Sequence, residues 1–203
     1  MDFVSYYIYN QQRLTLAQYI IHLTPIPPTK AEQIAAYFQQ EAFENGHLLV
    51  QEGKTSRKSY FLQSGIIRCF LVDREGEEIT TRFFAAPDFL NDFQSFFKQK
   101  PSEENYQTLT PCEVWSIDLE QVQYCFHNIP EFREWGRMML TMNYVTLHQQ
   151  MIAFHKYDAK ERYLMLLDTK PELINQVPLK YIASYLGITK YSLSRIRKEI
   201  TES

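Results

Sequence analysis

Residues 179–198 read LKYIASYLGITKYSLSRIRK, and this stretch decides how the whole chain is interpreted. A helix-turn-helix needs a small residue inside its first helix and a residue that tolerates positive φ at its turn. Ala183 and Gly187 supply them. Apolar residues that can join the two helices lie at Ile182, Leu186, Ile188, Leu193 and Ile196. Thr189 can cap the second helix, so the sequence predicts a helix-turn-helix.

The second helix of this motif is expected to expose basic and polar side chains. They are Thr189, Lys190, Tyr191, Ser194, Arg195 and Lys198. A recognition helix enters the major groove, where Arg pairs with guanine and Lys or Tyr contacts bases or phosphates. These side chains are therefore predicted to bind double-stranded DNA. The alternative is a helical hairpin with a merely solvated basic face.

Charge is distributed unevenly along the 203 residues. The whole chain has a net charge of −3, which by itself argues against a nucleic-acid partner. However, residues 178–203 carry +3 and residues 1–177 carry −6. An acidic body joined to a basic end indicates an anionic partner for that end.

Composition excludes several classes of protein. Hydrophobic residues make up 45% and charged residues 22%, as in globular proteins that bury a core. No apolar run approaches the ~18 residues of a membrane span, and the start Met1-Asp2-Phe3 lacks a secretion signal. Cys69, Cys112 and Cys125 are too widely spaced for a disulfide framework, which predicts packing as small apolar residues and a cytoplasmic location.

Hydrophobic periodicity predicts two helices at the start of the chain and strands in its middle. The first helix is expected over residues 11–23. The second is expected from Thr29 to about Gln40, with Thr29 and Glu32 as a capping box. Strands are expected at 47–50, 59–63, 66–72, 78–84, near Leu109 and at 114–117, as in a small sandwich, roll or barrel.

The pattern becomes helical again after Leu119. A short helix to His127, a long helix from Pro130 to about Tyr157 and a helix over 158–169 are expected. On the long helix, Phe132, Trp135, Met139 and Met142 follow heptad spacing. Such a stripe can pack on a roll, on a partner helix or on both, and these four residues are the predicted dimer seam.

The order of a β-rich segment, a long helix and a helix-turn-helix resembles the Crp/Fnr family, the cyclic-AMP receptor protein and FNR family of bacterial transcription regulators. Gly53 and Gly65 resemble the paired turn glycines of that family's β-roll. Residues 87–96 (PDFLNDFQSF) resemble its phosphate-binding cassette, and 159–164 (AKERYL) its helix before the DNA-binding module. The segments YIASYLGIT and LSRIRK resemble the corresponding sequences of a Bacteroidetes-type subgroup.

This resemblance implies an α+β fold in three parts. A cyclic-nucleotide-binding-like β-roll (a double-stranded β-helix) would form a sensor domain over 1–128. A long dimerisation helix would span 129–157, and a winged helix-turn-helix domain 158–203. The implied protein is a cytoplasmic, non-enzymatic homodimer that reads a pseudo-palindromic operator, with RNA polymerase as a further partner and no membrane.

The candidate effector pocket departs from the family pattern. Members that bind cyclic AMP carry Gly-Glu in the cassette and Arg-Ser or Arg-Thr ten residues later. Asn91-Asp92 and Ser102-Glu103 fall at these positions, so the phosphate-binding arginine is missing. The candidate pocket residues are Asp92, Ser102, Glu103 and Arg82. Without the arginine, and with Glu103 at this position, the charge of a bound phosphate would not be compensated. We therefore expect that the protein binds no cyclic AMP and no cofactor, and that its effector is either of unknown class or absent.

Two other function classes stay open. A cupin-type metalloenzyme would need several His residues on adjacent strands, and only His47 lies among the predicted strands. A β-roll sensor that regulates a protein partner would leave the basic helix-turn-helix without a use. The sequence has no G-x-S-x-G, H-E-x-x-H or phosphate-loop motif, so no catalytic residue and no metal ligand is predicted.

Overall fold

The computed structural model describes residues 14–202, and they form an α+β fold. Two helices, α1 (Leu16–Leu23) and α2 (Pro28–Ala35), precede the strands. Residues 11–13 of the first predicted helix lie outside the described residues. The second helix was predicted from Thr29 to about Gln40, and both predicted ends are wrong. Pro28 begins α2, since its fixed φ and missing N–H suit a first helical position. The chain after α2 forms a strand, because it pairs with a distant one.

Within residues 14–202, eight strands form two four-stranded antiparallel sheets. They are β1 (Gln39–Phe43), β2 (Leu48–Val50), β3 (Lys58–Ser64), β4 (Ile66–Val72), β5 (Glu78–Ala85), β6 (Asp88–Leu90), β7 (Asn105–Thr108) and β8 (Cys112–Asp118). One sheet has the order β1-β8-β3-β6 and the other β2-β7-β4-β5. The predicted roll is confirmed, although β1 and β6 were not expected and Leu109 lies just beyond β7.

Seven further helices occupy the described residues after β6. They are α3 (Phe93–Lys98), α4 (Leu119–Asn128), α5 (Pro130–Lys156), α6 (Ala159–Thr169), α7 (Pro171–Gln176), α8 (Leu179–Tyr185) and α9 (Lys190–Thr201). The predictions of α4, α5 and α6 are confirmed. The predicted wing is wrong for the described residues 158–202, because they form helices α6 to α9 and no strand.

The sheet that contains β3 separates two apolar cores. Successive side chains of a strand point to opposite faces. Tyr60 and Leu62 therefore pack between the two sheets, whereas Phe61 packs against α1, α2, α4 and α5. All three cysteines are buried and unpaired, as expected for small apolar residues in a core. Burial raises the pKa of Cys125 to about 11.

A third core joins the roll to the C-terminal helices. Phe83 and Ala85 of β5 pack in one buried cluster with Leu173, Ile182 and Leu193. The Lys170 side chain adds a hydrogen bond of 3.0 Å to the carbonyl oxygen of Phe83. The helices after α5 are thus part of the packed body and not a separate appendage.

Gly65, between β3 and β4, tests how closely this turn packs against residues 110–112. Its φ is +100°, and a Cβ there would lie 2.6 Å from the carbonyl oxygen of Pro111. Gly76 has a similar φ of +88° but nothing within 4 Å of the same position. Gly65→Ala should lower the free energy of unfolding by about 1–3 kcal/mol more than Gly76→Ala, because only the first adds overpacking to strain. Urea unfolding followed by circular dichroism measures both losses. Equal losses would contradict the close approach.

Candidate nucleic-acid interface

Helices α8 and α9 are joined by a turn that is defined by two backbone hydrogen bonds. The N–H of Gly187 donates to the Ser184 carbonyl and that of Ile188 to the Ala183 carbonyl, both at 3.0 Å. With Gly187 at φ +67°, this is the Schellman arrangement in which a left-handed residue ends a helix. The hydroxyl of Thr189 then accepts a hydrogen bond of 3.1 Å from the Ser192 N–H and caps α9. The predicted turn and cap are confirmed.

The two helices pack through the residues that the sequence analysis selected. Ala183 is buried with almost no exposed surface, so its small side chain lies where α9 approaches α8. The buried apolar set comprises Ile182, Leu186, Leu193 and Ile196. The helix-turn-helix is therefore present as predicted.

The outer face of α9 carries the predicted DNA-binding side chains. All six are exposed: Thr189, Lys190, Tyr191, Ser194, Arg195 and Lys198. The Tyr191 residue is 80% exposed, and the Arg195 and Lys198 side chains are 70% and 74% exposed. Their role in binding DNA stays a prediction, but no residue among the described 14–202 covers them.

The two basic side chains form ion pairs within their own helix. Arg195 lies 3.7 Å from Glu199, and Lys198 lies 3.7 Å from Glu202. Exposed pairs of this kind contribute about 0–1 kcal/mol. Exchanging a carboxylate for a DNA phosphate or base would therefore cost little.

Helix α8 is docked on the edge strand β5, a contact that the sequence did not predict. The backbone N–H of Thr80 donates to the Ser184 hydroxyl at 2.9 Å, and this hydroxyl donates to the Glu78 carbonyl at 3.2 Å. An uncovered edge strand presents unpaired backbone groups to solvent and to other chains. Here the helix-turn-helix covers part of the edge and is positioned by it.

Arg68 of β4 extends this docking contact. It is 1% exposed, and its guanidinium lies 4.0 Å from the Phe70 ring and 3.7 Å from the Tyr181 ring of α8. It donates hydrogen bonds to Glu78 at 2.6 Å and to Gln107 at 2.7 Å. The only sequence signal was a charged residue in the apolar run IIRCFLV. Arg68 therefore joins the roll to the helix-turn-helix.

Arg162 of α6 fixes the other side of the helix-turn-helix. Its guanidinium donates to the carbonyl of Leu186 at 2.7 Å and to that of Tyr157 at 2.6 Å. It also lies 5.1 Å from the Phe154 ring. One side chain thus links the turn after α8 to the end of α5.

The four predicted effector-pocket residues differ in burial and in hydrogen-bond partners. Asp92 is buried and caps α3 by accepting a hydrogen bond of 2.9 Å from the Ser95 N–H. The Ser102 hydroxyl bonds to its neighbouring backbone, and Glu103 is exposed. Arg82 donates to Asn143 of α5 at 3.1 Å. Asp92 and Arg82 both act electrostatically on Tyr106 of the roll interior. The assignment of these four residues to one effector pocket stays a prediction.

The interior of the roll is filled by buried side chains with acidic neighbours. Tyr106 packs there with Phe84, and its hydroxyl donates to Glu104 at 3.3 Å. Burial raises the pKa of Tyr106, and the charges of Glu104 and Asp92 raise it further. Negative charge next to this interior disfavours a phosphate there.

The predicted dimer seam has to be corrected. Phe132, Trp135 and Met139 are buried in the core that α5 shares with α1, α2 and the sheet, and only Met142 is exposed. The heptad spacing is satisfied by packing on the roll. A second stripe on α5 is 50–70% exposed and also follows steps of four and three residues. This exposed stripe comprises Leu140, Tyr144, Leu147, Met151 and Phe154.

Two features of the described residues concern metal ligands and membrane-spanning helices. In residues 14–202, no group of three His, Cys, Asp or Glu side chains could hold a metal ion. His47, which the cupin alternative would need, is exposed and stacks on Phe43 with ring centroids 4.3 Å apart. No helix in the same range is long and apolar enough to span a bilayer.

Comparisons with known proteins agree with this architecture. Residues 40–128 match the sequence model of the cyclic nucleotide-binding domain. The fumarate and nitrate reduction regulatory protein of Vibrio cholerae is 26% identical over 170 residues, which are 78% of this chain and 67% of the relative. These sequence comparisons support the predicted fold class, a cyclic-nucleotide-binding-like roll followed by helices.

Solved structures of Crp/Fnr regulators share the fold. The c-di-GMP-responsive global regulator CLP of Xanthomonas campestris is 17% identical with a TM-score of 0.69, and covers 87% of this chain and 92% of its own. FixK2 of Bradyrhizobium japonicum is 14% identical with a TM-score of 0.68, and covers 81% and 85%. The fold class is confirmed. The Bacteroidetes-type subgroup has no support from these comparisons.

The docking of α8 on β5 can be tested through Ser184. Ser184→Ala leaves the N–H of the buried Thr80 without its acceptor, so the free energy of unfolding should fall by about 1–3 kcal/mol. Ser194→Ala on the exposed face of α9 is the matched control and should change it by less than about 0.5 kcal/mol. Denaturant unfolding measures both. A Ser184→Ala variant as stable as the control would refute the docking contact.

Proposed function

We propose that this chain is a sequence-specific DNA-binding transcription regulator that acts as a homodimer. The observation that carries the proposal is the exposed basic face of α9 within a helix-turn-helix whose turn, cap and packing are all formed. A recognition helix in this setting reads base edges through its N-terminal half and phosphates around it. The names of the relatives, which are regulatory proteins, agree with this class of function.

The proposed dimer forms through the exposed stripe of α5. Five large apolar side chains at heptad spacing are unusual on a solvated helix and are typical of a two-stranded coiled coil. Two copies related by a two-fold axis would bring two α9 helices to successive major grooves about 34 Å apart. The operator would then be pseudo-palindromic.

Electrostatics favours presenting the basic modules in pairs. The net charge of −3 for the chain hides the +3 of residues 178–203, which include α9. A dimer displays this segment twice on one side, so the local field at the DNA is attractive although the total charge is negative. Binding should weaken as salt rises, because phosphate neutralisation releases counterions.

The proposal also covers the sensor and the partners. The roll is proposed to bind no cyclic AMP, since Asp92 and Glu104 lie beside its filled interior and Arg82 is engaged by Asn143. A regulator of this kind acts in the cytoplasm, with RNA polymerase as a further partner, and catalyses no reaction. A sensor that regulates a protein partner is less well supported, because it gives the exposed basic face of α9 no role.

Replacing Arg195 tests the placement of the recognition helix. Arg195→Ala should weaken binding to an operator selected from random duplex DNA by about 1–3 kcal/mol and relax the preference at one base pair. Arg74→Ala is the matched control, because Arg74 is equally cationic and exposed but lies in the turn between β4 and β5. Fluorescence anisotropy titrations at two salt concentrations measure both. An unchanged operator preference in Arg195→Ala would contradict the proposal.

Replacing Leu147 tests the exposed stripe as the dimer seam. Leu147→Glu places a charge at the centre of the stripe and should convert the dimer to monomers, because a buried unpaired carboxylate is costly. Gln149→Glu adds the same charge on another face of α5 and should leave the dimer intact. Sedimentation velocity at matched concentrations reports the oligomeric state. A Leu147→Glu variant that remains dimeric would refute this seam.

A further inference from the structure

Helix α3 carries two large aromatic side chains that are exposed. Phe93 and Phe97 lie one turn apart on α3 and stack with their ring centroids 6.0 Å apart. They are 37% and 45% exposed, although phenylalanine is among the residues most often buried. Phe96 of the same helix is fully buried. Helix α3 is therefore docked by one face and exposes an aromatic pair, Phe93 and Phe97, on another.

The aromatic pair adjoins the exposed stripe of α5. Phe93, Phe97 and Leu140 line the same cleft between α3 and α5. Leu140 is the first residue of the stripe and is 50% exposed. The exposed apolar surface therefore runs without interruption from Phe154, near the end of α5, to α3.

The other exposed apolar side chains of α5 do not belong to this surface. Met142, Val145 and Ile152 are 38–42% exposed. At 3.6 residues per turn they lie on the far flank of α5 from Leu140 and Leu147. None of these three residues lines the cleft next to α3. Only the exposed stripe is continuous with the aromatic pair.

The exposed stripe is short for the seam of a stable dimer. It covers residues 140–154, which are about two heptads or ~22 Å of helix, whereas coiled coils typically sustain about three to four heptads. The same steps continued toward the start of α5 reach Arg137 and then Arg133, both exposed. These residues would bring like charges together across a two-fold axis. A larger apolar seam therefore requires another element.

The aromatic pair has the size and the chemistry to enlarge the seam. A specific interface buries ~800 Å² on each partner. The exposed parts of Phe93 and Phe97 add on the order of 150 Å² for each copy, since one aromatic side chain has ~150–250 Å² to bury. Among the described residues, none that lines the cleft between this pair and Leu140 is charged. Covering the patch would therefore remove no ion from water.

We propose that α3 is part of the dimer interface, and that Phe93 and Phe97 pack against α5 of a second copy of this chain. The predicted contact is the partner's Leu140 and Thr141. This inference rests on the proposed function, because it enlarges the proposed seam. It differs from that proposal in placing an element of the roll, and not only α5, against the partner.

The proposed dimer determines which part of the second copy meets the aromatic pair. Both α9 helices have to lie on one side of the dimer to read one duplex, so the two α5 helices run parallel. Leu140 then lies opposite the partner's Leu140. Gly136 and Asn143, which line the cleft next to α3, take the g positions of this seam. Since g positions face the e positions of the partner, Gly136 faces the partner's Thr141.

This contact would couple the roll of one copy to the long helix of the other. Helix α3 is attached to its own roll by the Asp92 cap, which accepts a hydrogen bond of 2.9 Å from the Ser95 N–H, and by the buried Phe96. A change in the roll that moves α3 would therefore change the affinity of the dimer. By linkage, dimer formation would favour one position of α3.

Removing one ring tests the contribution of α3 to the dimer. Phe97→Gln should raise the dimer dissociation constant of the full chain roughly tenfold, because each copy loses part of a buried ring. Tyr124→Gln is the matched control, since Tyr124 is 53% exposed on α4, and it should stay within about twofold. Phe93→Gln is a second variant in case Phe97→Gln disturbs Phe96, whose ring centroid lies 5.0 Å away. Sedimentation velocity over a dilution series measures the constants. Unchanged constants in both phenylalanine variants would overturn the proposal.

Photocrosslinking identifies what covers the patch. The crosslinking amino acid p-benzoylphenylalanine in place of Phe97 should give, on irradiation of the purified dimer, a product of twice the chain mass. Mass spectrometry of its peptides should place the crosslink at residues 138–144 of the second chain. A crosslink near residue 154 would show an antiparallel seam, and a crosslink only within one chain would show that the patch is covered by its own copy. Either result would overturn the proposal.

These measurements separate this inference from the proposed function. A wild-type chain that is monomeric at every concentration would overturn the proposed dimer and this inference together. A dimer that Leu147→Glu dissociates, but that neither Phe97→Gln nor Phe93→Gln weakens, would overturn this inference alone. Weakening by Leu147→Glu and by both phenylalanine variants, with Tyr124→Gln unchanged, would support both.

Discussion

The docking of α8 on the edge strand β5 positions the helix-turn-helix, through a shared apolar core and the hydrogen bond from the Thr80 amide to the Ser184 hydroxyl. The Arg68 guanidinium reinforces it by stacking on Tyr181 from inside the sheet. Arg162 adds two hydrogen bonds, one to the Leu186 carbonyl in the turn after α8 and one to the Tyr157 carbonyl at the end of α5. Because these contacts fix α8, the turn at Gly187 then fixes the direction in which α9 projects. The exposed basic face is thus positioned by the roll.

Two surfaces of the chain carry the proposed function. The outer face of α9 is exposed and basic, and the stripe on α5 is exposed and apolar. Helix α5 connects the roll to the second surface, since Trp135 packs in the core that α5 shares with the sheet and Leu147 lies in the stripe. A change in how α5 packs on the roll would therefore reach both the proposed dimer seam and, through Arg162, the turn before α9.

Local signals in the sequence were sufficient for the features that local chemistry determines. Gly187 and Thr189 specify a turn and a helix cap, and both were predicted correctly. Long-range features were missed because they depend on pairing between distant segments. Residues 39–43 pair with β8, 69 to 77 positions later, so the strand β1 overrides a helical continuation of α2. The apolar stripes of α5 show the same limit: spacing identified Trp135 but could not tell that the roll, and not a partner, covers it.

Site-specific photocrosslinking tests the central claim, that α9 contacts duplex DNA, most directly. The crosslinking amino acid p-benzoylphenylalanine would replace Tyr191, which is 80% exposed on α9, or Tyr124, which is 53% exposed on α4. Irradiation with operator DNA should give a covalent protein–DNA product from position 191 and none from position 124. The product should decline as salt rises, because phosphate contacts weaken. No product from position 191, or equal products from both positions, would contradict the account.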